Sequence, residues 1–200
     1  MSAQNENPAT NGNSDKLLVI CECAIMVALA LALSYLKIPI GLAFGAFGGS
    51  IDLVMIPLIV CAMRRGTAAG LVSGLVLGTL KYFLAAGFAV TWESMLLDYS
   101  LAYMAVGMAG LLRKTKSPAG YAVGALVGCL ARFAVHFASG VTVYAKYMPP
   151  EFMEMTMTST WVYSLLYNST YMLPNTVIAV AACALLAKPL QRVPLSRKEH

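Results

Sequence analysis

A chain of 200 residues that is 59% hydrophobic and only 12% charged, with a mean hydropathy of +0.72, is too apolar for a soluble globular domain. Its net charge of +5 does not call for nucleic acid, because the cations sit on short segments between apolar runs, where they face anionic lipid. About six of those runs approach the ~20 residues needed to cross a hydrocarbon core about 30 Å thick. Composition therefore indicates an all-α integral membrane protein, a bundle of six transmembrane helices.

Residues 1–15 are polar and rich in Asn, which predicts a disordered tail. They lack the basic start of a secretory signal, so the run Leu17 to Leu36 is expected to remain as the first span. Pro and Gly break the stretch 37–49, and the second run, 50–63, is short for a span and carries Pro57, so a tilted or partly buried helix is expected there. The third helix is predicted over 67–84, the fourth over 95–112, the fifth over 119–145 and the sixth over 160–187. The membrane domain thus covers 16–188, and 189–200 form a basic tail.

Lys16, Arg64, Arg65, Arg113, Lys114, Lys116, Lys188, Arg192, Arg197 and Lys198 flank one set of span ends, and only Lys37 and Lys146 flank the other. The positive-inside rule then places both termini in the cytoplasm.

Cys21, Cys23, Cys61, Cys129 and Cys183 all fall in expected spans without CxxC spacing, so packing is expected of them, not metal or disulfide chemistry. Neither HExxH, GxSxG, a dinucleotide glycine fingerprint nor a Walker A sequence occurs, so the chain is not expected to be an enzyme or to hydrolyse ATP. Gly66, Gly70, Gly74 and Gly78 form a row of small residues on helix 3, Gly120, Gly124 and Gly128 on helix 5, and Ala24, Ala28 and Ala32 on helix 1. Such rows let helix backbones approach closely in lipid, where apolar burial contributes little to association.

Ionisable residues in spans carry the functional signal, since each charge at the bilayer centre costs on the order of 3 kcal/mol. Glu22 and Lys81 lie near span ends and are expected to snorkel, and Asp52 to cap a helix start. Asp98 opens helix 4, while Arg132 lies deep in helix 5 with His136 four residues on and on the same face. Tyr144, Tyr163, Tyr167 and Asn168 occupy the same outer half. Two readings fit this convergence: an internal Asp98–Arg132 salt bridge flanked by interfacial aromatics, or an outward-opening pocket for a small polar or cationic aromatic molecule.

The runs "IDLVMIPLIVCAMRRGTAAGLVSGLVLGTL", "LLDYSLAYMAVGMAGLLRK", "ARFAVHFASGV" and "YSLLYNSTYMLPNTVIA" resemble the thiamine-specific substrate-binding subunits (S-components) of energy-coupling factor (ECF) vitamin transporters. The resemblance covers most of 17–187. It implies a six-helix bundle with an outward-facing thiamine pocket, a transmembrane coupling subunit and two ATPases as partners, and no cofactor on this chain. It also implies that Asp98 and Tyr99 form the acidic-Tyr pair, Arg132 the basic residue of helix 5 and His136 the ligand-facing histidine. Tyr144 stands where the family has a stacking tryptophan, and Tyr163 and Asn168 match its helix 6 Tyr and Asn. Gly48 replaces the tryptophan of the first external loop, a contact that Trp92 or Trp161 could supply. Ala24 and Ala28 match the family's docking motif for the coupling subunit.

Thiamine joins a cationic thiazolium to an aminopyrimidine, so its site requires a carboxylate, flat rings and groups that bond the pyrimidine edge. Asp98 offers the charge, Tyr99, His136 and Tyr144 the faces, and Tyr163 and Asn168 the edge contacts; Arg132 is expected to orient and neutralise Asp98 when the site is empty. A subunit of the same architecture for another vitamin or precursor, such as hydroxymethylpyrimidine or riboflavin, is the nearest alternative. A stand-alone carrier and a membrane enzyme are the further ones. The external stretches 87–94 and 146–160 are candidate lids over the mouth.

Overall fold

The computed structural model describes residues 8–40, 48–85 and 87–193. Six helices run through them: α1 (Pro8–Leu33), α2 (Met55–Arg65), α3 (Thr67–Leu84), α4 (Trp92–Leu112), α5 (Pro118–Thr142) and α6 (Thr160–Gln191). All except α2 are long and apolar enough to cross a membrane. The helical part of α1 begins at Pro8, inside the stretch that composition left as a polar tail, and residues 1–7 and 194–200 lie outside the described residues.

At 11 residues α2 extends about 16 Å, half the hydrocarbon thickness. Nine of those residues, Met55 and Pro57 through Arg64, are buried, so α2 is a core rod encased by its neighbours rather than a span. Its Leu58 and Ile59 share one apolar cluster with Val54, Leu77, Tyr103, Val106, Cys129 and Met172.

The glycine row of α3 faces α4. A Cβ on Gly70 would lie 2.9 Å from Gly107 Cα, and Cβ atoms on Gly74 and Gly78 would collide with the backbones of Tyr103 and Tyr99. This contact fixes Tyr99 and Tyr103 against α3. Within α4, Leu96–Leu101 is wound as a π-helix and Gly107–Leu112 as a 3-10 helix. The wide turn carries Asp98 and Tyr99, and such bulges recur where side chains are re-aimed for function.

Two small hairpins complete the end of the bundle that holds the cavity. β1 (Ile38–Pro39) pairs with β2 (Ser50–Ile51), and β3 (Glu151–Phe152) with β4 (Met155–Thr156). The second turns through Met153 and Glu154, whose φ values of 53° and 62° are left-handed, and Phe152 anchors it at 2% exposure in a cluster with Met157 and Tyr163.

Candidate functional site

One cavity of about 230 Å³ opens among α3, α4, α5, α6 and the loops above them. Asp98, Tyr99, Arg132, His136, Tyr144, Tyr163 and Asn168 all line it. Three helices, α4, α5 and α6, bring six of these residues together. Tyr144 joins them from beyond the end of α5, where the chain turns into a single 3-10 turn over Ala145–Tyr147. Trp92 and Trp161 do not contribute. They are 67% and 61% exposed and lie outside the lining, so neither replaces a ring at Gly48, which lines the cavity with a φ of +99°.

Asp98 and Arg132 do not form the expected pair. His136 stands between them, with Nδ1 3.0 Å from the Asp98 carboxylate and Nε2 accepting from Arg132 Nε across 3.3 Å. Because Nε2 is an acceptor, the proton sits on Nδ1, which donates to Asp98, and the imidazole is neutral. The Asp98 charge is therefore oriented without being cancelled. Arg132 stacks its guanidinium 4.2 Å from the Tyr103 ring centroid. Its Nη1 is buried with no hydrogen-bond partner among the described residues.

Lys81 does not snorkel. It is 7% exposed and lines the cavity, donating to Asp52 at 2.9 Å and to the Tyr103 hydroxyl at 2.5 Å. A carboxylate so deeply buried attracts the nearest ammonium more strongly than distant water does. Asp52 does not cap α2, whose N-cap is Val54 without a side-chain bond; it accepts from Val54 N–H at 3.2 Å in the turn before the helix, while its own N–H donates to Asn175. Burial opposes the charge on Asp52, but Lys81 and Arg132 outweigh it and hold the carboxyl below the ordinary carboxylate range. Glu22 does not snorkel either: it takes both Arg64 and Arg65.

The walls are aromatic. Tyr163 stacks on Tyr167 with centroids 5.9 Å apart, Tyr167 meets Tyr171 edge-on at 5.7 Å, and Tyr171 meets His136 at 5.9 Å. Tyr171 and Tyr103 were not singled out from sequence, nor was Tyr167 assigned a role, although 163, 167 and 171 recur every four residues on α6, a legible signal for one face. Asn168 is largely committed inside the protein. Its Nδ2 donates to the Ser164 and His136 carbonyls, and its Oδ1 accepts from Tyr171, which leaves one lone pair of Oδ1 for a ligand. Tyr99 uses its hydroxyl to clasp both backbone groups of Phe88, closing the α3–α4 loop over the cavity. Burial pushes the Tyr144 hydroxyl well above its ordinary range, with Asp98 adding to the effect, so this phenol stays a donor.

A neutral imidazole presenting an uncancelled carboxylate to a ring-lined cavity suits reversible capture of a small flat cation. Residues 20–194 match the family described as thiamine transporter protein (Thia_YuaJ). The chain belongs to that family. It is 32% identical to the thiamine transporter ThiT of Bacillus subtilis, over 92% of this chain and 98% of the relative. With ThiT of Lacticaseibacillus paracasei it shares 31% identity, over 86% and 87%. Its fold is similar to a solved ThiT from Listeria monocytogenes (TM-score 0.76, 24% identity, 88% of this chain and 97% of that one). It is also similar to the S component of a bacterial ECF transporter (TM-score 0.62, 16% identity, the same coverages). The protein is thus a multi-pass membrane protein of a transporter family, not an enzyme.

Proposed function

We propose that this chain is the thiamine-binding subunit of an ECF importer, taking thiamine at the outer face and passing it inward with a transmembrane coupling subunit and two ATPases. The observation that carries the reading is the Asp98–His136 pair at the wall of an aromatic cavity. Asp98 balances the thiazolium charge, and Tyr163, Tyr167, Tyr171 and His136 supply ring faces and edges for a flat cation. The buried Arg132 Nη1 donates to a ligand acceptor such as a hydroxyl or ring nitrogen, and the free lone pair of Asn168 accepts from the exocyclic amine. At about 230 Å³ the cavity lies just below the usual range of ligand sites, about 300 to 1,000 Å³, and this favours a small molecule of vitamin size. ATP is consumed by the partners in this scheme.

The exposed faces of Ala24 and Ala28 support the partner half of the reading. They line an apolar groove between α1 and α3 and pack against nothing in this chain's core, so they are open to a second helix. Gly48, standing where the resemblance calls for a tryptophan, favours one alternative, a related vitamin or precursor bound by the same architecture. Isothermal titration of the purified chain with thiamine, hydroxymethylpyrimidine and riboflavin decides between them. Strong binding of thiamine alone supports the proposal, and preference for another member of the panel replaces the ligand.

A further inference from the structure

At the bundle end opposite the hairpins, three charged residues converge in a way that ligand capture does not explain. Glu22 of α1 accepts from Arg64 Nε at 2.5 Å and from Arg65 Nε at 2.7 Å, with Arg65 Nη2 also 2.5 Å from the carboxylate. The three side chains are 18%, 7% and 5% exposed. Arg64 reaches further, donating through Nη1 to Leu190 O at 2.9 Å and Val193 O at 3.4 Å, and so ties the end of α6 into the same knot.

What this knot holds is α1, the least embedded helix, of which only 11% of the spanning window is buried. Its surface of Leu17, Leu18, Ile20, Ile25 and Leu29 is exposed. Such side chains are equally at ease against lipid or protein, and with little of α1 beyond Val27, Ala30 and Leu31 joining the apolar core, burial fixes its rotation and depth only weakly. Polar attachments contribute, among them Glu22 toward one end and the Tyr35 hydroxyl, donating to Leu84 O at 2.7 Å, just beyond the other. Between them α1 and α3 leave a groove of about 410 Å³, walled by Ala24, Val27 and Ala28 on one side and Val72, Val76 and Leu80 on the other. A slip of one residue along α1 moves the helix about 1.5 Å and turns it about 100°, which would both break the Glu22 contacts and swing the two alanines out of the groove.

We infer that Glu22 is a positioning residue for subunit docking: clamped by Arg64 and Arg65, it sets the rotation and depth at which α1 presents Ala24 and Ala28 to an apolar helix of the coupling subunit. This rests on the ECF reading above, and it assigns the ion cluster to assembly and not to ligand binding.

The full-length chain carrying Glu22→Gln is co-expressed with the coupling and ATPase subunits and captured through a tag on one ATPase. Thiamine affinity of the same variant, purified alone, is titrated in parallel. Thiamine binding is expected at the wild-type level while the amount of captured chain falls about tenfold, equivalent to about 1.4 kcal/mol of docking free energy. The exchange Glu22→Arg with Arg65→Glu, which keeps one carboxylate between two guanidinium groups, is expected to restore capture. Full capture of Glu22→Gln overturns the inference. So does a parallel loss of thiamine binding, which would make the cluster a prop for the whole fold, or failure of the exchange to rescue. Failure of the wild-type chain to be captured refutes instead the partner half of the proposed function.

Discussion

The His136 imidazole donates to Asp98 from Nδ1 and accepts from Arg132 at Nε2, so one ring orients the carboxylate while keeping the guanidinium from neutralising it. Asp98→Asn removes the charge and His136→Ala removes its orienting partner along with a ring face. Each is expected to weaken thiamine binding by roughly 30- to 1,000-fold, about 2–4 kcal/mol, as truncation of a buried hydrogen-bonded charge pair does. Isothermal titration in detergent measures this, and unchanged affinity in both variants would refute the site.

Lys81, at the cavity wall, and Asp52 form a second buried pair. Lys81→Met leaves the carboxylate without its counter-charge and is expected to cost about 3–5 kcal/mol of stability, whereas Lys81→Met with Asp52→Asn regains most of it. Thermal unfolding of the purified variants reads the difference. The Asp52 carboxyl is held below its ordinary value of about 3.9, so its stabilising contribution is complete above that pH and is lost as pH falls through the lower, folded value. The wild-type melting temperature should therefore drop more steeply below about pH 4 than that of the double variant.

Gly74 lies where its Cβ would enter the Tyr103 backbone, and α3 cannot retreat without opening the α3–α4 contact. Gly74→Val is expected to destabilise the protein by about 1–3 kcal/mol or more and to shift Tyr103 from beneath Arg132. Both the melting temperature and thiamine affinity should fall; a variant that keeps both would contradict the packing described.

The hairpin over 151–156 stands on Phe152 while its turn strains Met153 and Glu154 into left-handed backbone. Glu154→Gly relieves a conformation costing about 1–2 kcal/mol and should raise the melting temperature slightly. Phe152→Ala should cost about 3–5 kcal/mol locally and free the hairpin from Tyr163 and Tyr167, speeding thiamine release in stopped-flow fluorescence.

The glycine row of α3 shows how far linear reading reaches. Spacing by four announced a close helix contact at Gly70, Gly74 and Gly78, but only the folded chain shows that α4 fills it. The same holds for α2, whose shortness and Pro57 marked it as no ordinary span while its encasement on all sides had to be seen.

Hydropathy and spacing alone determined the membrane setting, the number of helices and the set of polar residues at one depth, because lipid imposes length and sidedness on each segment separately. Tertiary structure decided who touches whom: His136 rather than Arg132 on Asp98, Asp52 on Lys81, two arginines on Glu22, and Tyr171 at the wall. Those pairings depend on the relative rotation and depth of neighbouring helices, where one residue of slip turns a side chain about 100° away, and no single segment's pattern encodes that offset.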